Sequence, residues 1–70
     1  YVIVNVDVVV IAERPKIGGY VDAMRERVAR GLGIPASGVS IKGKTNEGVG
    51  EIGRGEAIAT HAVALIERKG

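Results

Sequence analysis

The chain has no cysteine, no tryptophan and no phenylalanine, and only one histidine and one methionine among its 70 residues. Without cysteine there is neither a disulfide nor a thiolate metal site to reinforce a small core. A lone histidine, His61, cannot assemble a histidine-rich zinc centre. Two tyrosines are the only aromatic residues, and the net charge of +2 is mild and spread along the chain. Stacking platforms and a concentrated basic face are both missing, which argues against dedicated nucleic-acid binding. Long apolar runs are missing too: residues 2–12 are too short to span a bilayer, and Asn5 and Asp7 interrupt them. No signal-peptide pattern is visible. A domain of this size buries only about 60% of its unfolded surface. Its stability must come from idealised packing, from oligomerisation or from further chain. Tyr1 stands inside an apolar run with no preceding cap, as expected at a cut edge.

What is present is valine, isoleucine and glycine in ordered blocks. Residues 1–12 predict a long strand with Val2, Val4, Val6, Val8 and Val10 on one face and Ile3, Asn5, Asp7, Val9 and Ile11 on the other. The all-apolar face is expected to meet a helix layer. So apolar a strand is hazardous at a free edge, so both of its sides should be paired. Pro15 ends the strand and restrains Arg14. A helix is then predicted from about residue 17 or 18 to residue 32. Tyr20, Val21, Met24, Val28 and Leu32 form its core stripe; Arg25, Glu26 and Arg30 face away, with Glu26 and Arg30 paired at i, i+4. Gly31 and Gly33 offer C-cap geometry, and Pro35 forbids continuation. After a short turn at residues 36–38, residues 39–44 alternate as a second strand with Val39, Ile41 and Gly43 inward. Residues 57–67 fit either a helix, favoured by their alanines, or a strand with Ile58, Thr60, Ala62, Ala64 and Ile66 on one face. A crossover between the first two strands should make them parallel.

Residues 42–56, Lys-Gly-Lys-Thr-Asn-Glu-Gly-Val-Gly-Glu-Ile-Gly-Arg-Gly-Glu, organise the rest. Glycines let backbone approach a ligand, and successive N–H groups can form an anion-binding concavity. The cations Lys42, Lys44 and Arg54 suit phosphate, and a carboxylate among them suits a divalent ion shared with that phosphate. From the residues alone two readings stand: a polyphosphate–metal loop, or a flexible glycine-rich connection with solvated charges.

The pattern Lys42, Thr45-Asn46-Glu47-Gly48, Gly50, Gly53-Arg54-Gly55-Glu56, Ile58-Ala59 resembles the C-terminal signature of the 2-C-methyl-D-erythritol 2,4-cyclodiphosphate synthases of non-mevalonate isoprenoid biosynthesis. Residues 5–12, residues 14–17 and the apolar block 62–66 agree and occur in the same order. The resemblance covers nearly all of this chain but only about the C-terminal half of the family's single domain. The N-terminal half, with an Asp-x-His pair and a later histidine that hold zinc, is not within residues 1–70.

The resemblance implies an α+β fold. This chain would be the β-α-β-β portion of a mixed, chorismate-mutase-like sheet with helices on one face, in subunits that trimerise with sites at their interfaces. It makes residues 57–67 a strand. It implies a phosphorus–oxygen lyase that forms a cyclic diphosphate and CMP from a cytidine-diphospho-methylerythritol 2-phosphate. Glu47 becomes the ligand of a magnesium or manganese ion, and Thr45 the group that steadies the transition state. Asn46 falls in the same phosphate-contacting run. Ala12, Glu13, Arg14, Pro15, Lys16, Ile17 and Gly18 become the cytidine-holding segment, with Gly43 and Lys44 as the opposite wall. Arg54 becomes a phosphate contact, with Glu56 as its structural partner. Glu51 stands where many relatives place an aromatic, and Lys44 where many place a small hydroxyl, so stacking is lost at one and charge added at the other. His61 and Asp7 read as structural strand residues. The location expected is the bacterial cytoplasm, or a plastid where a transit peptide precedes the chain. The 70 residues alone are expected to be inactive for want of zinc ligands. The reading from another class is a non-catalytic trimeric module that binds CMP or an isoprenoid diphosphate.

Overall fold

Valine and isoleucine, stiff at χ1 and suited to a pleated surface, dominate the first strand, β1 (Val2–Ile11). The computed structural model describes residues 1–14 and 16–70. Pro15, expected to end the strand, lies outside the described residues. β2 (Val39–Lys44) runs parallel to β1, from Val6 opposite Val39 to Ile11 opposite Lys44. β3 (Ala59–Glu67) runs antiparallel on its other side, with Ile11 opposite Ala59 and Val2 opposite Glu67. The sheet order β2-β1-β3 puts the most apolar strand in the centre, paired on both sides. The alanines of β3 do not make it helical, because strand pairing outweighs a propensity difference of a few tenths of a kcal/mol per residue.

The face assignment of β1 needs one correction. The register slips between Ile3 and Asn5, leaving Val4 as the extra residue of a bulge. Directly opposed residues share a face. Ile3 opposite Ile66 therefore lies on the side of Val6 opposite Ala64, and Val2 and Val4 are exposed. Val8 and Val10 pack on the core beneath the helix, and Val6 is buried.

A 3-10 turn at Gly18–Tyr20 leads into α1 (Val21–Leu32). Gly33 closes it at φ 70, its N–H donated to the Ala29 carbonyl. That left-handed cap suits glycine; Gly31, the other candidate, lies inside the helix. Ala29, Val39 and Ile41 are buried, with Val8, Val10, Ile17, Val21, Met24 and Val28 packed around them. Tyr20 and Leu32 do not belong to this core: both are exposed, and Ala29 takes the place on the stripe that the larger residues were expected to fill.

Arg25 does not face away. Its Nε donates to the Val39 carbonyl at 2.8 Å and its Nη2 to the Ala36 carbonyl at 2.9 Å. It clasps the entry of β2 to the helix. Its Nη1 pairs with Asp22 at 3.3 Å, and this, rather than Glu26 with Arg30, is the ion pair on the helix. Opposite the helix layer, Val63 and Leu65 of β3 are exposed. Accessible surface totals 5200 Å², against about 4200 Å² for a compact monomer of this mass.

Candidate active-site segment

Parallel pairing brings the two strand ends together. Ile11 lies opposite Lys44, and the Ala12 N–H donates to the Lys44 carbonyl at 2.9 Å. The segment leaving β1 and the loop leaving β2 therefore start side by side, at the carboxyl ends of parallel strands where ligands of such sheets bind. Between them is a cavity of about 320 Å³ lined by Val10, Ala12, Lys16, Ile17, Gly18, Gly43, Lys44 and Thr45. That is within the range of small-molecule sites, about 300–1,000 Å³. Two cations and an apolar floor suit a flat polar ring carrying phosphate. Gly43 makes room at its wall: an added Cβ would lie 2.6 Å from Ile17 Cγ1, so that side chain would have to shift.

A second concavity of about 260 Å³ adjoins it, lined by Lys44, Thr45, Asn46 and Glu47 and sharing the first two with its neighbour. Glu47 sits at φ 53. A left-handed conformation costs a non-glycine residue about 1–2 kcal/mol, and such strain gathers at ligand clamps. The Thr45 Oγ1 accepts the Glu47 N–H at 3.4 Å, and Asn46 Nδ2 donates to the Val49 carbonyl at 2.7 Å. Glu47 lines this concavity and is exposed, and among the described residues its carboxylate makes no ion pair. One hard carboxylate beside a phosphate-sized cationic space fits a magnesium ion that completes its shell with phosphate and water oxygens. Zinc is different. Among the described residues no three of His, Cys, Asp and Glu come together, so the residues here do not fit a zinc site.

The loop carries hydrogen bonds of its own. Residues 46–49 close a turn through the Val49 N–H and the Asn46 carbonyl, and Gly50–Gly53 form a short helix, α2. Gly53 lies against Gly48 so closely that an added Cβ would overlap the Gly48 carbonyl carbon. The Glu56 N–H then donates to the Glu51 carbonyl at 2.8 Å. The concavity of N–H groups that glycine makes available does exist, but its guest is internal. Glu13 Oε1 accepts from the Asn46 N–H at 2.8 Å and the Gly48 N–H at 3.1 Å. Those donors, and the Asn46 side-chain amide, are thus spent on the loop itself. The resemblance puts Glu13 in the cytidine-holding segment, and nothing local in the sequence signals a partner 33 residues away.

The remaining residues fall around this centre. Arg14 lies over Gly55, its Nη2 3.4 Å from where a Cβ there would sit. Arg54 Nε bonds Glu56 Oε2, a single contact between two half-exposed side chains rather than a bidentate fork. Glu51 is in the first turn of α2 and exposed. His61 and Asp7 lie on the strands, opposite Val9 and Val63, but both are exposed rather than packed.

The chain is 60% identical over 63 residues to a 2-C-methyl-D-erythritol 2,4-cyclodiphosphate synthase of Symbiobacterium thermophilum, covering 90% of this chain and 40% of that protein. It is 54% identical over 69 residues to the synthase of Prosthecochloris aestuarii, covering 99% and 44%. Its fold superposes on the crystal structure of the synthase from Plasmodium vivax with a TM-score of 0.94 and 46% identity, over 97% of this chain and 45% of that one. A Plasmodium falciparum protein described as IspF in complex with CDP matches at a TM-score of 0.82 and 42% identity, over 86% and 38%. The chain thus spans less than half the length of these relatives. The YgbB family pattern matches residues 1–67, and the chain belongs to the YgbB family.

Proposed function

We propose that the protein carrying this chain is a 2-C-methyl-D-erythritol 2,4-cyclodiphosphate synthase of non-mevalonate isoprenoid biosynthesis, and that residues 1–70 form the C-terminal part of its domain. The observation that carries this is the parallel register of β1 and β2. It sets Ala12, Lys16 and Ile17 against Gly43, Lys44 and Thr45 around one cavity, with Glu47 on the adjoining concavity. The relatives' names and the CDP complex of the Plasmodium falciparum protein support cytidine as the occupant of the larger space.

In the reaction an oxygen of the 2-phosphate attacks the β-phosphorus of the cytidine diphosphate. A new P–O bond closes the ring as the bond to the α-phosphate oxygen breaks, and CMP leaves with that electron pair. The residues align and neutralise rather than react covalently. The backbone of Ala12, Lys16, Ile17 and Gly18 holds the base edge. Lys16 and Lys44 offset phosphate charge, the Thr45 hydroxyl donates to the diphosphate, and Arg54 serves as a further phosphate contact. A magnesium or manganese ion, when bound, neutralises phosphate oxygens from the Glu47 carboxylate. Zinc belongs to the part of the relatives that this chain does not span, and residues 1–70 alone are inactive on this reading.

The exposed apolar residues of β3 and the roughly 1000 Å² of surface beyond a compact monomer's support burial against the rest of the domain and within a trimer. Among the described residues no helix is long and apolar enough to cross a membrane. The location we propose, from the relatives' pathway, is the bacterial cytoplasm, or a plastid where a transit peptide precedes the chain. The test is CMP release from the cytidine substrate by the full-length protein with magnesium. Release that disappears when the metal is chelated is expected. Tight CMP binding without release would replace the synthase with a non-catalytic nucleotide-binding module.

A further inference from the structure

The backbone of Glu47 is held in its left-handed conformation from both sides by one oxygen atom. Glu13 Oε1 accepts the N–H of the residue before it and the N–H of the residue after it, at 2.8 and 3.1 Å. Glu47 itself turns through φ 53, a conformation a glutamate leaves when nothing holds it. Ordinary backbone angles at this position would swing its carboxylate out of the concavity it shares with Lys44, Thr45 and Asn46. Glu13 is anchored in turn. It follows Ala12, which is buried and whose N–H is fixed to the Lys44 carbonyl. The side chain therefore reaches the loop from a rigid strand end.

We infer that Glu13 is a positioning residue: it acts through the loop backbone to aim the Glu47 carboxylate, and so sets divalent-cation affinity without touching metal or nucleotide. The inference rests on the reading of Glu47 as a magnesium or manganese ligand. It has a chemical corollary. The clamp needs an acceptor oxygen at the reach of a glutamate, and the two N–H groups it serves are neutral. Glu13→Gln keeps a carbonyl oxygen at the same distance and retains the clamp. Glu13→Asp is one methylene short, and Glu13→Ala has no acceptor.

The experiment uses the full-length protein and three readouts. Manganese binding is titrated by electron paramagnetic resonance without substrate. Amide exchange at Asn46 and Gly48 is followed in the metal-free protein. Magnesium half-saturation and the substrate KM are measured in the CMP-release assay. Removing a residue that orients a metal ligand costs about 10–100-fold in metal affinity, and that loss is expected for Glu13→Ala and Glu13→Asp. The Asn46 and Gly48 amides should exchange faster in both, with substrate KM and thermal midpoint close to wild type. Glu13→Gln should stay within about fivefold of wild type. Freed amides with unchanged manganese affinity would overturn the inference. So would a parallel loss of metal affinity, nucleotide affinity and thermal midpoint, which marks a merely structural role. Wild-type protein that binds no manganese, or binds it undiminished as Glu47→Gln, would overturn it as well. Wild-type protein that releases no CMP but shows the expected manganese pattern refutes the synthase reading and leaves this inference standing.

Discussion

Gly43→Ala tests whether the cavity between the strand ends is as closely built as it looks. The added Cβ would lie 2.6 Å from Ile17 Cγ1 and 3.0 Å from its Cδ1. Apolar carbons rest at about 3.5–4.0 Å, so Ile17 must retreat by about 1 Å. Gly43 sits on a paired strand opposite Val10 and cannot move. Ile17 lies outside any strand or helix, between β1 and the 3-10 turn, and can. Overpacking of this kind costs about 1–3 kcal/mol, and the low end is expected because the clash is with a side chain. Ile17 lines the cavity, so its displacement also changes the space for a nucleotide. We expect a loss of about 1 kcal/mol in urea unfolding and a drop of about tenfold in CMP affinity, since 1.4 kcal/mol in binding is tenfold. Ile17→Ala removes both clashing atoms and should rescue the double variant. The coupling energy should be about 1 kcal/mol, as for side chains in direct contact. Strictly additive losses, or wild-type CMP affinity in Gly43→Ala, would refute the packing argument.

Three further outcomes follow from the same geometry. Arg25→Met keeps the aliphatic stem but removes both bonds to the Ala36 and Val39 carbonyls; urea unfolding should show about 1–3 kcal/mol lost, with CMP affinity unchanged because the clasp is remote from the cavity. Gly53→Ala cannot be relieved by a side chain, since the new Cβ meets Gly48 backbone; manganese titration of the full-length protein should show affinity falling by about tenfold or more while CMP still binds. Thr45→Ala should lower kcat by about a hundredfold or more with KM little changed, as expected when a donor aimed at developing charge is lost, and Thr45→Ser should recover most of it in the CMP-release assay.

Some of this structure is written locally in the sequence and some is not, and the division follows the range of the interactions. Strand, helix and turn boundaries are legible because proline, glycine and apolar spacing act within a few residues, and the Gly33 cap belongs to this class. The parallel sense of β1 and β2 is long-range but legible, because a helical crossover between them imposes it. The bulge at Val4 is not, because a run of valine and isoleucine is equally apolar in either register, and only the pairing with Ile66 and Leu65 chooses. Charge misled at Arg25: periodicity sorts arginine to the outer face, yet a long stem and five donors let it turn in toward two carbonyls. Residues 57–67 fit helix or strand by their own pattern; the resemblance makes them a strand, and pairing with β1 is what makes residues 59–67 one. The site divides the same way. The motif residues Thr45 and Glu47 stand out in the chain by their neighbours, but the residue that fixes the loop backbone, Glu13, is 33 positions upstream and looks like an ordinary polar residue at a strand end. A glycine-rich stretch announces that N–H groups will be available to an anion; it does not announce whose. Here two of them are taken by the chain's own carboxylate. The chain's own carboxylate therefore braces the loop, and such bracing lowers the ordering cost of ligand binding.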